Sequence, residues 1–123
     1  MSFDFLPDKP IYQQLIDRIT GELIRGAIRP GEKLPSVRDY AVEAGVNANT
    51  MQRVYRELEG MGITETKRGQ GTFVTEDPGR LEVLREKRKA QLVADFLRDI
   101  EALGFTKEEI AAYMSGGEAD DQS

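Results

Sequence analysis

The stretch from Leu34 to Leu58 constrains this chain most. It holds two helical patterns separated by a single tight break. Leu34-Pro35-Ser36 opens the first, with Ser36 placed to cap it and Asp39 three residues on to answer as a short capping box. Val37, Tyr40 and Ala41 give it a narrow apolar face, and Gly45 closes it after about two turns. Asn47 is a predicted N-cap for the second, whose stripe is Met51, Val54, Tyr55 and Leu58. Gly60 and Gly62 end it. Two short helices joined through Gly45-Val46-Asn47 predict a helix-turn-helix. Gly45 supplies the small residue where the helices approach, and Val46 is expected to plug the gap between them.

The flanks extend this motif. Pro10 suits a first helical turn. Ile11, Leu15, Ile16, Ile19, Leu23 and Ile24 recur at helical spacing up to Gly26, and Pro30-Gly31 stops the run. Beyond the motif, Ile63–Lys67 and Thr72–Thr75 read as strands around Arg68-Gly69-Gln70-Gly71. A hairpin directly after a helix-turn-helix is a wing. Asp77-Pro78-Gly79 breaks the pattern again. A long helix is predicted from Arg80 to about Leu103, with Thr106-Lys107-Glu108-Glu109 capping a final short one.

A segment of about forty residues is too small to build its own stable core. This one nevertheless presents Leu84, Leu92, Val93, Phe96, Leu97, Ile100, Leu103, Ile110 and Tyr113. A second copy is the common cover for such a face, so these residues are the predicted homodimer contact. The expected fold class is α+β, mainly α: a winged helix-turn-helix domain over residues 1–76, then a C-terminal helical dimerisation hairpin over 77–115. Residues 116–123 are glycine-rich and acidic, and are expected to form a disordered tail.

Composition narrows the chemistry. The chain has 123 residues with no cysteine and no histidine. Thiolate nucleophiles, Cys/His metal sites, disulfides and imidazole acid/base work are thereby excluded. No acid, base and nucleophile converge, so an enzyme is not expected, and no catalytic residue, metal or cofactor is assigned. No run approaches the ~20 apolar residues of a bilayer crossing, and the start lacks a secretion-signal pattern. No membrane partner and a cytoplasmic location follow as expectations. The net charge of −5 at first argues against nucleic acid. It is unevenly spread: residues 1–75 carry ten basic and ten acidic side chains, so the whole excess of acid lies beyond them.

Polar residues lead the third helix: Asn47, Asn49, Thr50, Gln52 and Arg53. Such groups at a helix front can reach base edges in a major groove. Lys67, Arg68, Gly69 and Gln70 form the wing tip, where glycine admits close approach and cations favour phosphate or a narrow minor groove. Each signal also has an ordinary reading. Asn47 can serve as a helix cap alone, Arg38 can be a solvated arginine, and Lys67 and Arg68 can solubilise a hairpin end. Their clustering favours double-stranded DNA as the partner. Tyr40 and Tyr55 are expected in the core, and Arg85–Lys89 as a solvated helix face. The competing reading is a winged-helix protein-interaction module that does not bind DNA.

In order and spacing, four segments resemble the DNA-binding domain of GntR-family bacterial transcription regulators: Leu34-Pro35-Ser36-Val37-Arg38, Gly45 to Thr50, Arg53 to Glu59, and Lys67 to Val74. The short helical C-terminus is similar to that of the YtrA subfamily, and the likeness spans roughly residues 8–115. It implies a homodimer that binds an inverted-repeat operator and usually represses, often beside ABC transporter genes. It also implies that Arg38 contacts DNA, with Asn47, Asn49 and Thr50 at the head of the recognition helix and Lys67 to Gln70 at the wing tip. Ala48 stands where many YtrA-like sequences have proline, and both suit a first turn. The C-terminal helices are too short to wrap a pocket of the usual several hundred cubic ångströms by themselves, which leaves the dimer interface or the wing hinge as places for a small-molecule effector, whose existence the sequence does not decide.

Overall fold

The structure, a computed structural model, describes residues 3–116. The predicted tail beyond Gly116 lies outside the described residues. The described chain forms two compact units divided after Arg85.

In the first unit, α1 (Ile11–Ile24) follows Pro10 and buries Leu15, Ile16 and Ile19 along one stripe. Thr20 is buried on the same helix, and its hydroxyl donates to the Ile16 carbonyl at 2.9 Å. α2 (Val37–Ala44) begins where the Ser36 hydroxyl accepts from the Asp39 amide at 3.1 Å. It ends at Gly45 in the left-handed region, with the Gly45 and Val46 amides both returning to the Ala41 carbonyl. α3 (Ala48–Gly60) is capped by the Asn47 side chain, which accepts from the Asn49 amide at 2.7 Å. Met51, Val54, Tyr55 and Leu58 face inward. The caps explain why the two helices stay short and distinct: each end finds partners for amides or carbonyls that would otherwise be orphaned.

β1 (Thr64–Lys67) and β2 (Gly71–Val74) pair antiparallel, with Thr64 opposite Val74 and Lys67 opposite Gly71. A third stretch runs along the outer side of β2. The Gly31 amide donates to Val74, Val74 to Glu32, and Leu34 to Thr72, at 3.0, 2.9 and 2.9 Å. Lys33 and Phe73 form the bridge at its centre. The wing is therefore anchored along the β2 edge by the approach to α2, and at the start of the hairpin by α3, where the Ile63 amide donates to the Leu58 carbonyl at 3.0 Å.

The core of this unit unites Leu15 and Ile19 of α1, Tyr40, Ala41 and Ala44 of α2, the α3 stripe, and Ile63 and Val74 beside the wing. α4 (Pro78–Ala102) gives its first turns to this unit. Leu84 joins the same core at 6% exposure. The Arg85 guanidinium donates to the Ile24 carbonyl at 3.4 Å. The division thus falls inside α4, later than the Asp77-Pro78-Gly79 break that the sequence suggests.

The second unit comprises the rest of α4 and α5 (Lys107–Met114). Thr106 and Glu109 form a complete capping box at the start of α5, as the sequence predicts. Ile100 is buried at 5% exposure, and Ile110 is half-buried. Leu92, Val93, Phe96, Leu97, Leu103 and Tyr113 are exposed. Leu84 and Ile100, two of the residues expected at the homodimer contact, are buried within their own chain at 6% and 5% exposure.

Candidate nucleic-acid interface

The first unit gathers the predicted DNA-facing residues on three elements. Arg38 is the second residue of α2, exposed, and has no ion-pair or hydrogen-bond partner among the described residues. Ser36 fixes that first turn by its cap, so it sets where the Arg38 stem leaves the helix. Asn49, Gln52 and Arg53 are exposed on α3, and Thr50 is half-buried. Asn47 is a cap by its hydrogen bond and is also exposed.

At the wing tip, the Gln70 amide closes a tight turn onto the Lys67 carbonyl at 2.8 Å. Lys67 lies with its ammonium 4.8 Å from the centre of the Phe73 ring. Arg68, Gly69 and Gln70 are exposed. Arg68, like Arg38, is unpaired among the described residues. Between the wing and the start of α2 lies an open groove of about 980 Å³, bordered by Ser36 and Val37 on one side and Lys67 to Gln70 on the other. The structure thus brings the wing tip beside the turn that carries Arg38.

Aromatic side chains hold this arrangement in register. Tyr40 and Tyr55 meet edge to face with ring centres 6.3 Å apart, and Phe3 meets Tyr40 in the same way. The Tyr55 hydroxyl donates to the Pro35 carbonyl at 2.5 Å, tying α3 to the residue just before the α2 cap. Burial is the main cause that raises the Tyr55 phenol, with Tyr40 and Glu43 adding to it. Burial likewise pushes Tyr40 up to about 12, with Glu22 and Glu43 adding and Arg18 opposing. Both rings therefore stay neutral, and Tyr55 keeps its proton for Pro35.

Two residues of this surface carry no sequence signal. Lys33 lines the wing groove, and its side chain crosses close to Gly71. Tyr12 of α1 lies under the Arg53 guanidinium, 3.6 Å from ring centre to carbon. Among the described residues there is no cluster of acidic side chains able to hold a metal ion. No helix among them is long and apolar enough to cross a membrane.

A helix-turn-helix whose second helix opens with exposed amide, hydroxyl and guanidinium groups, followed by a wing whose tip carries exposed cations, defines a winged-helix DNA-binding protein. The model of bacterial regulatory proteins of the gntR family matches residues 11–74. The transcriptional regulator YhcF of Bacillus subtilis is 43% identical over 121 residues, covering 95% of this chain and 100% of that one. The transcriptional repressor YtrA of the same organism is 37% identical, covering 91% and 92%. A GntR-family regulator from Listeria monocytogenes superposes with a TM-score of 0.82 at 40% identity, covering 90% of this chain and 97% of that chain. The DNA-binding domain of AraR, solved in complex with operator ORX1, matches with a TM-score of 0.54 at 25% identity, over 61% and 95%. The chain belongs to the GntR family of transcription regulators and shares its layout with YtrA-type members. These relatives are regulators and not enzymes.

Proposed function

We propose that the chain is a homodimeric cytoplasmic repressor that grips an inverted-repeat operator through two copies of the winged unit. In this reading α3 enters the major groove with Asn49, Thr50, Gln52 and Arg53 toward base edges. Asn47 and Arg38 meet the backbone at the groove's margin, and Lys67, Arg68, Gly69 and Gln70 reach the adjacent minor groove. The unpaired guanidiniums of Arg38 and Arg68 carry the proposal, because a surface arginine held in no ion pair is free to neutralise phosphate. The exposed row Leu92, Val93, Phe96 and Leu97, with Leu103, Ile110 and Tyr113, supports a subunit contact through the second unit. The family resemblance adds the expectation of an operator near an ABC transporter operon. The protein-interaction alternative has no comparable observation behind it.

The test is a gel-shift titration of the DNA upstream of the chain's own gene at several salt concentrations. Affinity is expected to fall steeply with salt. R38A and R68A are each expected to weaken binding and to lower the log–log salt slope by about 0.9. Unchanged affinity in both variants, with the fold intact, would sink the proposal.

A further inference from the structure

The front of α3 meets α1 at a shallow groove of about 340 Å³ lined by Ile11, Tyr12, Asn49, Thr50 and Arg53. Asn49 and Thr50 stand one turn ahead of Arg53, so the three share a face. Across the groove the Arg53 guanidinium carbon lies over Tyr12, 3.6 Å from the ring centre. Tyr12 is itself fixed, since it is half-buried and packs against the core cluster. A free surface arginine samples many rotamers and loses that freedom on binding. A guanidinium stacked on an anchored ring has given up much of it beforehand, and its planar edge still offers two parallel N–H donors.

Building on the DNA-binding reading above, we propose that Tyr12 is a positioning residue for recognition. It holds Arg53 at the front of α3 so that the fork meets a pair of acceptors on DNA. A guanine edge and a phosphate both present such a pair, and the chemistry of the fork fits either. Tyr12 acts through Arg53 and supplies a platform from a helix outside the helix-turn-helix.

The probe is the duplex that the wild-type chain enriches from a randomised library. Its affinity is measured by fluorescence anisotropy for wild type, Y12F, Y12L, R53A and Y12L/R53A, with thermal melts run alongside. Y12L is expected to bind about two- to fivefold more weakly. Y12F keeps the ring face and is expected to match wild type. On the R53A background, Y12L is expected to cost nothing further. Independent losses from the two substitutions overturn the proposal, and so does a Y12F variant as weak as Y12L. Should Y12L not fold, the wild-type protein still decides: the Arg53 δ-methylene protons must show an upfield ring-current shift in the NMR spectrum, and unshifted resonances overturn the stack. Repeating the selection with R53A separates the acceptors. Loss of preference at one base pair per half-site marks a base edge, while an unchanged sequence with a salt slope lower by about 0.9 marks a phosphate. A wild-type chain that enriches no duplex overturns the DNA reading and this proposal with it, and the ring-current shift then shows whether the stack itself survives.

Discussion

The two glycines of the wing tip should respond very differently to alanine. Gly69 and Gly71 both hold positive φ, 77° and 123°. An L-residue in the left-handed region costs about 1–2 kcal/mol. At Gly69 that is the whole penalty, because a Cβ there would meet nothing within 4 Å. At Gly71 the added Cβ would lie 2.8 Å from Cε of Lys33, closer than real contacts allow. The exposed end of Lys33 would have to swing aside, a small cost, and the φ of 123° lies outside even the left-handed well, which adds more. Gly69→Ala should therefore cost about 1 kcal/mol, and Gly71→Ala about 2–3 kcal/mol. In a domain of this size each kcal/mol lowers the melting midpoint by about 4–8 °C. Thermal unfolding followed by circular dichroism reads both. Lys33→Ala in the Gly71→Ala background removes the obstructing atom, so the pair should be less damaging than the sum of its singles. Gly71→Ala no worse than Gly69→Ala, or no recovery on removing Lys33, would refute the claim that Lys33 occupies the space a Cβ needs.

Three further outcomes follow from single features. Thr64 buries a hydroxyl with no hydrogen-bond partner among the described residues. Thr64→Val should leave stability unchanged or raise it by about 1 kcal/mol in urea unfolding, and a clear loss would reveal an overlooked partner. Tyr40 is raised to about 12 and Tyr55 is raised as well, both first by burial. A phenol whose folded value exceeds the unfolded value of about 10 contributes stability that is complete below pH 10 and is lost as pH climbs toward the folded value. Stability should hold up to about pH 10 and then fall, with the buried tyrosines ionising only as helix content disappears; their ionisation near pH 10 in a folded chain would contradict this. Phe96 is 45% exposed on the second unit. Phe96→Glu should shift the proposed dimer to monomer in sedimentation, with the winged unit's melt unchanged, whereas an unaltered mass would move the subunit contact elsewhere.

The helices were legible because each carries its own start and stop. Ser36, Gly45, Asn47 and the Thr106–Glu109 box act within four residues of themselves, and such local hydrogen bonds are written in sequence. Pairing between distant segments is not. Gly31 to Leu34 has neither alternation nor β-branched content, yet it lines β2 through backbone bonds alone, so Lys33 arrives at the wing unannounced. Tyr12 and Arg53 belong to different helices, and periodicity shows which face of a helix is apolar without showing what crosses it. The same gap separates Leu84 from Leu92. Both continue the apolar pattern of α4, but one is sealed in the first unit's core and the other is 60% exposed.

Charge shows best how arrangement outweighs composition. Residues 1–75 are electrically balanced, which as a count offers DNA nothing. Many of the acids are engaged locally. Asp17 pairs with Lys9 at 3.2 Å and Glu22 with Arg18 at 3.9 Å. Glu32 accepts from the Arg29 amide at 3.0 Å, and Glu59 from the Thr66 hydroxyl at 3.0 Å. Arg38 and Arg68 have no such partner among the described residues. Exposed charges farther apart than a Debye length of about 10 Å at 0.1 M salt scarcely feel one another. A phosphate at the front of the helix-turn-helix would therefore respond first to the two unpaired guanidiniums beside it. Adding salt must weaken that attraction, since exposed charges are screened as the Debye length shrinks.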